Sequence, residues 1–359
     1  MNSRDEIPTG PVFSTRKPVV GLLDGSEPGP QGLRDLAIRA LELRAGAEPE
    51  KFPGKRLVSV FLNPSLRTRT SMEAAAQNLG VHSIALNPGQ DAWKMEHRHG
   101  VVMDGDAAEH MADAIPVLAQ YADLLAVRSF ANLTDLEQDR KDPVLSAFVR
   151  YSPVPVINLE SARWHPMQGF ADAATWLSHL GPDLRGEPIT LTWAPHPKAL
   201  PQAVPNQVLL TGALLGMDLT LAHPEGFDLD PEVVERVSKT ASANGGRLKI
   251  SHDQREAVKG ARVVYAKSWA GFSGYGRRHE EAAVRATLRG WTVTEETMAC
   301  SPDAGFMHCL PVRRNMVVAD EVIDGPRSYT TETGGLRLWT AMAVLERYLA
   351  ARGEDPWSV

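Results

Sequence analysis

Residues 57–80 read LVSVFLNPSLRTRTSMEAAAQNLG, and a second apolar run, HSIALN, follows directly at 82–87. LVSVFL has the continuous apolar character of a buried strand, Pro64 breaks it, the next dozen residues read as a helix, and Gly80 ends that helix. Strand, helix and strand in that order make one βαβ unit. The same alternation continues through LLAVRS (124–129), VPVINLE (154–160), ITLTWA (189–194), LTLAH (219–223), LKISH (248–252) and RVVYAKSW (262–269). Continuous apolar strands separated by helices specify parallel sheets covered on both faces, so the chain is α/β. Ligands of such sheets bind beyond the carboxyl ends of the strands.

At 359 residues the chain exceeds one ordinary core and suits two domains. The strongest boundary lies at about 160–187, where VPVINLE ends and HPMQGFADAATWLSHLG (165–181) reads as a long helix closed by Gly181. A lead-in rich in proline and glycine, including PGPQG, precedes a helix at LRDLAIRALELRA (33–45). The last helix carries Leu338, Met342, Leu345 and Leu349 at helical spacing and needs a partner surface. The expected fold is therefore two doubly wound parallel-sheet domains joined by long helices, 1–160 and 161–334, with the terminal helix at about 335–355 packing back on the first. An apolar fraction of 43% with 23% charged residues is ordinary, and no apolar run is long enough for a membrane span. MNSRDEIPTGPVFSTRKP at the amino end lacks the apolar core of a secretory signal, and two cysteines build no disulfide framework, so a cytoplasmic location is expected. A net charge of −6 argues against a general nucleic-acid surface. Anion sites must then be local.

One such site is legible at Ser65-Leu66-Arg67-Thr68, where a loop opens a helix. Free backbone N–H groups and the positive end of the helix dipole attract phosphate, and Arg67 with two hydroxyl neighbours adds charge-assisted hydrogen bonds. The competing reading is a capped helix with solvated arginines. Two further polar islands stand at strand ends, His165-Pro166-Met167-Gln168 and the stretch from Phe306 to Arg314.

SLRTR (65–69), HPMQ (165–168) and HCLPVRR (308–314), in this order over nearly the whole chain, resemble the signature motifs of the aspartate/ornithine carbamoyltransferase family. HCLP is similar to the ornithine branch. Where ordinary ornithine enzymes carry an Asp-x-x-x-Ser-Met-Gly loop for a free α-amino acid, this chain reads Tyr265-Ala266-Lys267-Ser268-Trp269-Ala270. Together with DAWKME (91–96), MDGDAAEH (103–110) and WAPHPKALPQAVPN (193–206), that variant resembles the N-acylornithine carbamoyltransferases.

The resemblance implies attack of a neutral δ-amine on carbamoyl phosphate, with no metal and no organic cofactor. The protein then has to hold two reactants together and stabilise a tetrahedral oxyanion while phosphate leaves. By resemblance Ser65, Leu66, Arg67 and Thr68 cradle the phosphate, and Arg128 and His165 polarise the carbamoyl oxygen as the catalytic pair. Gln168 and the backbone near Cys309 and Leu310 meet the carbamoyl NH₂, and Arg337 is a further contact. Trp93 is implied to reach the neighbouring subunit's site, which makes the assembly a homotrimer with shared sites. Glu160, His196, Lys267 and Arg313 are implied contacts of the N-acylornithine, and Ala108 of its acyl end. An acidic residue at 108 is expected in N-acetyl enzymes. Alanine spares a succinyl carboxylate that repulsion and leaves room for it, which favours N-succinylornithine over N-acetylornithine, while Lys267 in the lost loop disfavours ordinary ornithine.

Arg314 is left outside the site as a structural ion-pair partner, and His223 reads as structural. Cys309 reads as a small buried residue without thiol chemistry, and Cys300 and Cys309 are too isolated for a zinc site. A nicotinamide dehydrogenase would share the sheet but requires G-x-G-x-x-G after a strand, and GFSGYG (271–276) has the wrong spacing. A catalytically dead paralogue is disfavoured by the retained Arg67, His165, Gln168 and HCLPVRR.

Overall fold

The computed structural model describes residues 21–352 and 354–358, so the amino-terminal stretch read above for a secretory signal lies outside the described residues. In chain order the strands are β1 (Arg56–Phe61), β2 (His82–Leu86), β3 (Met95–Glu96), β4 (Glu109–His110), β5 (Leu124–Arg128), β6 (Val156–Glu160), β7 (Pro188–Trp193), β8 (Asp218–Ala222), β9 (Arg247–Ser251), β10 (Val263–Lys267) and β11 (Gly305–Met307). Two all-parallel sheets form two α/β domains, ordered β2-β1-β5-β6 and β11-β10-β7-β8-β9. Strand position explains the sequence pattern. Inner strands β5 and β7 are apolar along nearly their whole length because helices cover both faces, whereas β9, at a sheet edge, is polar and largely exposed.

All eight apolar runs are strands. Three strands went unread. β11 is only three residues long, and β3 and β4 are two-residue segments that pair with each other in the excursion between β2 and the helix Met111–Tyr121.

Pro166–Leu180 is the helix on which the two domains meet. Pro166 starts it with a φ already suited to a helix, and Gly181, at φ +100°, ends it. Residues 166–177 are buried on every side, because this helix packs against Gly29–Arg44, Ala203–Leu214 and the terminal helix Thr330–Ala350. The terminal helix lies on Gly29–Arg44, Arg67–Asn78 and Pro166–Leu180, and so returns to the first domain. Met342, Leu345 and Leu349 are buried in it as read, but Leu338 is only partly covered and Leu336 takes the deeper position. A single apolar core runs from Leu22 and Leu33 through Trp176 to Trp193 and Leu345, crossing from one sheet to the other.

This arrangement brings the carboxyl ends of β1, β5 and β6 to face those of β7, β10 and β11. Close approach of the linking helix to Ala203–Leu214 depends on Gly169, where an added Cβ would collide with the Thr211 hydroxyl and come within 2.9 Å of Gln207 Cγ. Gly169→Ala, despite its better helix propensity, is therefore expected to destabilise the fold by about 1–3 kcal/mol through overpacking. Chemical denaturation checks this, with a lower midpoint at unchanged slope as the expected result.

Candidate active site

The facing strand ends enclose a cleft of about 580 Å³. The first sheet contributes the Pro64–Thr68 loop after β1, Arg128 and Phe130 at the end of β5, and Glu160 at the end of β6. The linking helix brings His165 and Gln168, and the terminal helix brings Arg337. From the second sheet come His196 after β7, Lys267 at the end of β10, and Cys309, Leu310 and Pro311 after β11. Four cationic side chains and one carboxylate, Glu160, line the cleft, which marks it as a site for an anion.

The loop at its floor is both capped and charged. Ser65 Oγ accepts the Thr68 N–H at 3.2 Å, as in an ordinary capped helix. Arg67 is not the solvated arginine of the competing reading. It is half-buried, its Nε makes no hydrogen bond among the described residues, and burial with Arg128 close by pushes its pKa down. The solvated arginine is Arg69, paired with Glu73 at 2.9 Å.

Thr68 ties the arginines together, since its Oγ1 accepts from Arg128 Nη1 at 3.4 Å and from Arg337 Nη2 at 2.7 Å. Arg128 also donates to Glu160 Oε2 at 2.5 Å and stacks on Phe130, 4.6 Å from the ring centre. The second arm of Arg337 donates to Gln168 Oε1 at 3.0 Å. Arg337 is 4% exposed, and burial, reinforced by Arg128, pushes its pKa down to about 10.

His165 is 2% exposed, and its backbone N–H donates to Gln207 Oε1 at 3.1 Å. Burial, then the charges of Arg337, Arg128, Lys267 and Arg67, push its pKa well below the ordinary value, so it is a neutral imidazole at pH 7. Its Nε2 lies 3.3 Å from Glu160 Oε2. His196 is pushed down to about 4, by burial first and then by Lys267 and Arg313. Burial raises the Cys309 thiol, which leaves it inert. His308 holds the same loop in shape, its Nδ1 accepting the Leu310 N–H at 2.8 Å.

Some expected residues stand apart. Trp93 is 70% exposed and Ala108 is exposed, both on the excursion between β2 and Met111, and neither lines the cleft of its own chain. Arg313 is exposed and outside the lining, although close enough to depress His196. Arg314 pairs with Asp320 and Asp324 at 2.9 and 2.6 Å, and the Nδ1–H of buried His223 donates to the Pro224 carbonyl at 2.9 Å, so both are structural as read. Sequence reading missed the apolar wall of Phe130, Leu200, Pro201 and Val204, whose residue types carry no chemical signal. It also missed Asp172, whose spacing of four from Gln168 on one helix was the available clue. Among the described residues no cluster of three or more His, Cys, Asp or Glu side chains is close enough to hold a metal ion.

Residues 22–178 match the carbamoyl-P binding domain of the Aspartate/ornithine carbamoyltransferase family, and residues 202–348 match its Asp/Orn binding domain. The N-acetylornithine carbamoyltransferase of Xanthomonas campestris pv. campestris is 43% identical over 81% of this chain and 86% of its own length. The N-succinylornithine carbamoyltransferase of Bacteroides fragilis is 41% identical over 82% of this chain and 87% of its own. A crystal structure of an N-acetyl-L-ornithine transcarbamylase mutant complexed with carbamyl phosphate and N-succinyl-L-norvaline superposes with a TM-score of 0.89 at 39% identity, covering 91% of this chain and 99% of that one.

Arg67 faces the cleft and not a core, so its loss should remove anion affinity and spare the fold. Arg67→Ala is expected to weaken binding of inorganic phosphate by about 10-fold or more, the worth of one hydrogen-bonded charge. Titration calorimetry reads the affinity and a thermal melt checks that the fold is intact. Unchanged phosphate affinity would contradict the assignment.

Proposed function

The chain belongs to the aspartate/ornithine carbamoyltransferase family and is a carbamoyltransferase, and we propose that its acceptor is the δ-amine of N2-succinyl-L-ornithine. The products are N2-succinyl-L-citrulline and phosphate, in arginine biosynthesis. The observation that carries this reading is the pairing of a cationic anion cradle at Arg67, Arg128 and Arg337 with Lys267 on the opposite wall. An N-acylated ornithine has carboxylates and amides and no free α-amino group, so its acceptor site needs cations and donors, and Lys267, His196 and Arg313 supply them.

The amine lone pair forms a bond to the carbamoyl carbon while the bond to the phosphate oxygen breaks, and phosphate departs with that electron pair and takes up the amine proton. The Ser65–Thr68 loop and Arg337 hold the phosphate, and Arg128 and His165 donate to the carbonyl oxygen as negative charge develops there. A neutral His165 suits that task, since its ring N–H donates without a prior protonation. Gln168 and the carbonyls of Cys309 and Leu310 meet the carbamoyl NH₂. Glu160, the one carboxylate in the lining, can accept a hydrogen bond from the incoming amine. We assign 1–160 with the terminal helix to carbamoyl phosphate and 161–334 to the acceptor.

The exposure of Trp93 and Ala108 outside their own chain's cleft supports a role in a neighbour's, and we take the assembly to be a cytoplasmic homotrimer with shared sites, as the family resemblance implies. Mixing Trp93→Ala subunits with His165→Ala subunits should then restore activity, because some sites in the hybrids carry neither defect. Turnover no higher than in the parent mutants, with hybrids shown to form, would remove the shared site.

Relatives of the two acyl classes are almost equally similar, at 43% and 41%, so similarity does not choose between them. N-acetylornithine is the second reading, and Ala108 favours succinyl over it. Ala108→Glu is expected to lower kcat/KM for N-succinylornithine by about 10-fold or more relative to N-acetylornithine, through like-charge repulsion in a partly dry pocket. Parallel assays with both acceptors read this out. A wild-type preference for N-acetylornithine, or an unmoved ratio in the variant, would overturn the choice of acyl group.

A further inference from the structure

Behind the anion cradle lies a buried carboxyl, Asp172, that the proposed reaction does not use. Asp172 is 0% exposed and sits one turn after Gln168 on the linking helix. Gln168 Nε2 donates to Asp172 Oδ1 at 2.9 Å. With that end committed, Gln168 Oε1 faces outward and accepts from Arg337 Nη1 at 3.0 Å, while Arg337 Nη2 reaches Thr68 in the phosphate loop at 2.7 Å. A reversed amide would set an NH₂ group against a guanidinium, two donors with no acceptor between them in a dry site.

We infer that Asp172 is a positioning residue for carbamoyl phosphate: its carboxyl fixes the direction of the Gln168 amide and, through that amide, aims the Arg337 guanidinium at the phosphate loop. The inference rests on the reading of this cleft as the carbamoyl-phosphate site. Tyr265, fully buried on β10, lies close enough to Asp172 for each to affect the other's ionisation, and neither Asp172 Oδ2 nor the Tyr265 hydroxyl has a hydrogen-bond partner among the described residues.

Charge points the same way. The ionisable groups acting on Asp172 are Arg337 from the terminal helix, Tyr265 from β10 and Cys309 from the loop after β11. Burial outweighs them and pushes the Asp172 carboxyl up to about 8, and Tyr265 is raised well above its ordinary value. At neutral pH Asp172 therefore keeps its proton, still accepts from Gln168, and adds no negative charge behind the anion site. An anion binds the protonated form better, so affinity falls as pH rises through about 8.

Titration calorimetry with carbamoyl phosphate alone, without acceptor, tests this on the wild-type chain, Asp172→Ala and Asp172→Asn. Asp172→Ala is expected to raise the dissociation constant by about 10-fold or more, with kcat at saturating substrate lowered by less than about 3-fold. Asp172→Asn, which keeps an acceptor oxygen and cannot ionise, recovers most of that loss and lacks the decline in affinity that the wild type shows toward about pH 9. Wild-type affinity in the alanine variant, equal losses in both variants, or parallel pH profiles of wild type and Asp172→Asn would each overturn the inference. If Asp172→Ala does not fold, the comparison of pH profiles decides. A wild-type chain that does not bind carbamoyl phosphate would overturn the functional reading, and this inference with it.

Discussion

Holding Arg67, Arg128 and Arg337 together in one cleft is the constraint to which the rest of the molecule answers. Burial and mutual repulsion lower the pKa values of Arg67 and Arg337, which means that the charged forms are less favourable in the fold than in the unfolded chain. Part of that cost is offset locally, by Glu160 against Arg128 and by Thr68 accepting from two arginines at once. The remainder is offset when an anion enters. The cleft is thus a binding site whose affinity comes from an electrostatic imbalance built in at folding.

Such an imbalance persists only on a rigid frame, which here is apolar. The linking helix is buried on every side, and the terminal helix lies across three others, so the backbones that carry His165, Gln168 and Arg337 are held by core packing and not by the ions themselves. Gly169 lets the linking helix and Ala203–Leu214 approach closely enough for Gln207 to accept the His165 N–H. Removing one arginine relieves repulsion locally. Moving one of these helices would displace several site residues together.

Legibility in the sequence followed the same division. The inner strands and the linking helix were plain because a residue buried on both faces of a sheet has to be apolar, and because Pro166 and Gly181 bound the helix. β11 was not, since three residues carry no period. The cleft residues Ser65–Thr68, Arg128, His165, Gln168 and Arg337 were named from the family resemblance, and the fold brings all of them to one lining. The apolar wall at Leu200 and Val204 was not named, because a residue that excludes water looks like any core residue. Asp172 was hidden for a different reason. Gln168 stands one turn away on the same helix, but Arg337 and Tyr265 come from distant stretches, and only the folded chain shows that they meet there.

Two kinds of titratable group emerge, and their contrast explains how one cleft serves an anionic donor and an amine acceptor. His165, His196 and His308 are all pushed down, so the histidines add donors and acceptors without adding charge at neutral pH. Asp172 is pushed up, so it too is neutral there. Charge is left to the arginines, Lys267 and Glu160. With the neighbouring groups silent, a shift of a single proton on the reactants changes the field at the reacting carbon without being absorbed by the surrounding side chains. Burial that would be a liability for an isolated ion therefore keeps the electrostatics of the cleft simple enough for the arginines to dominate.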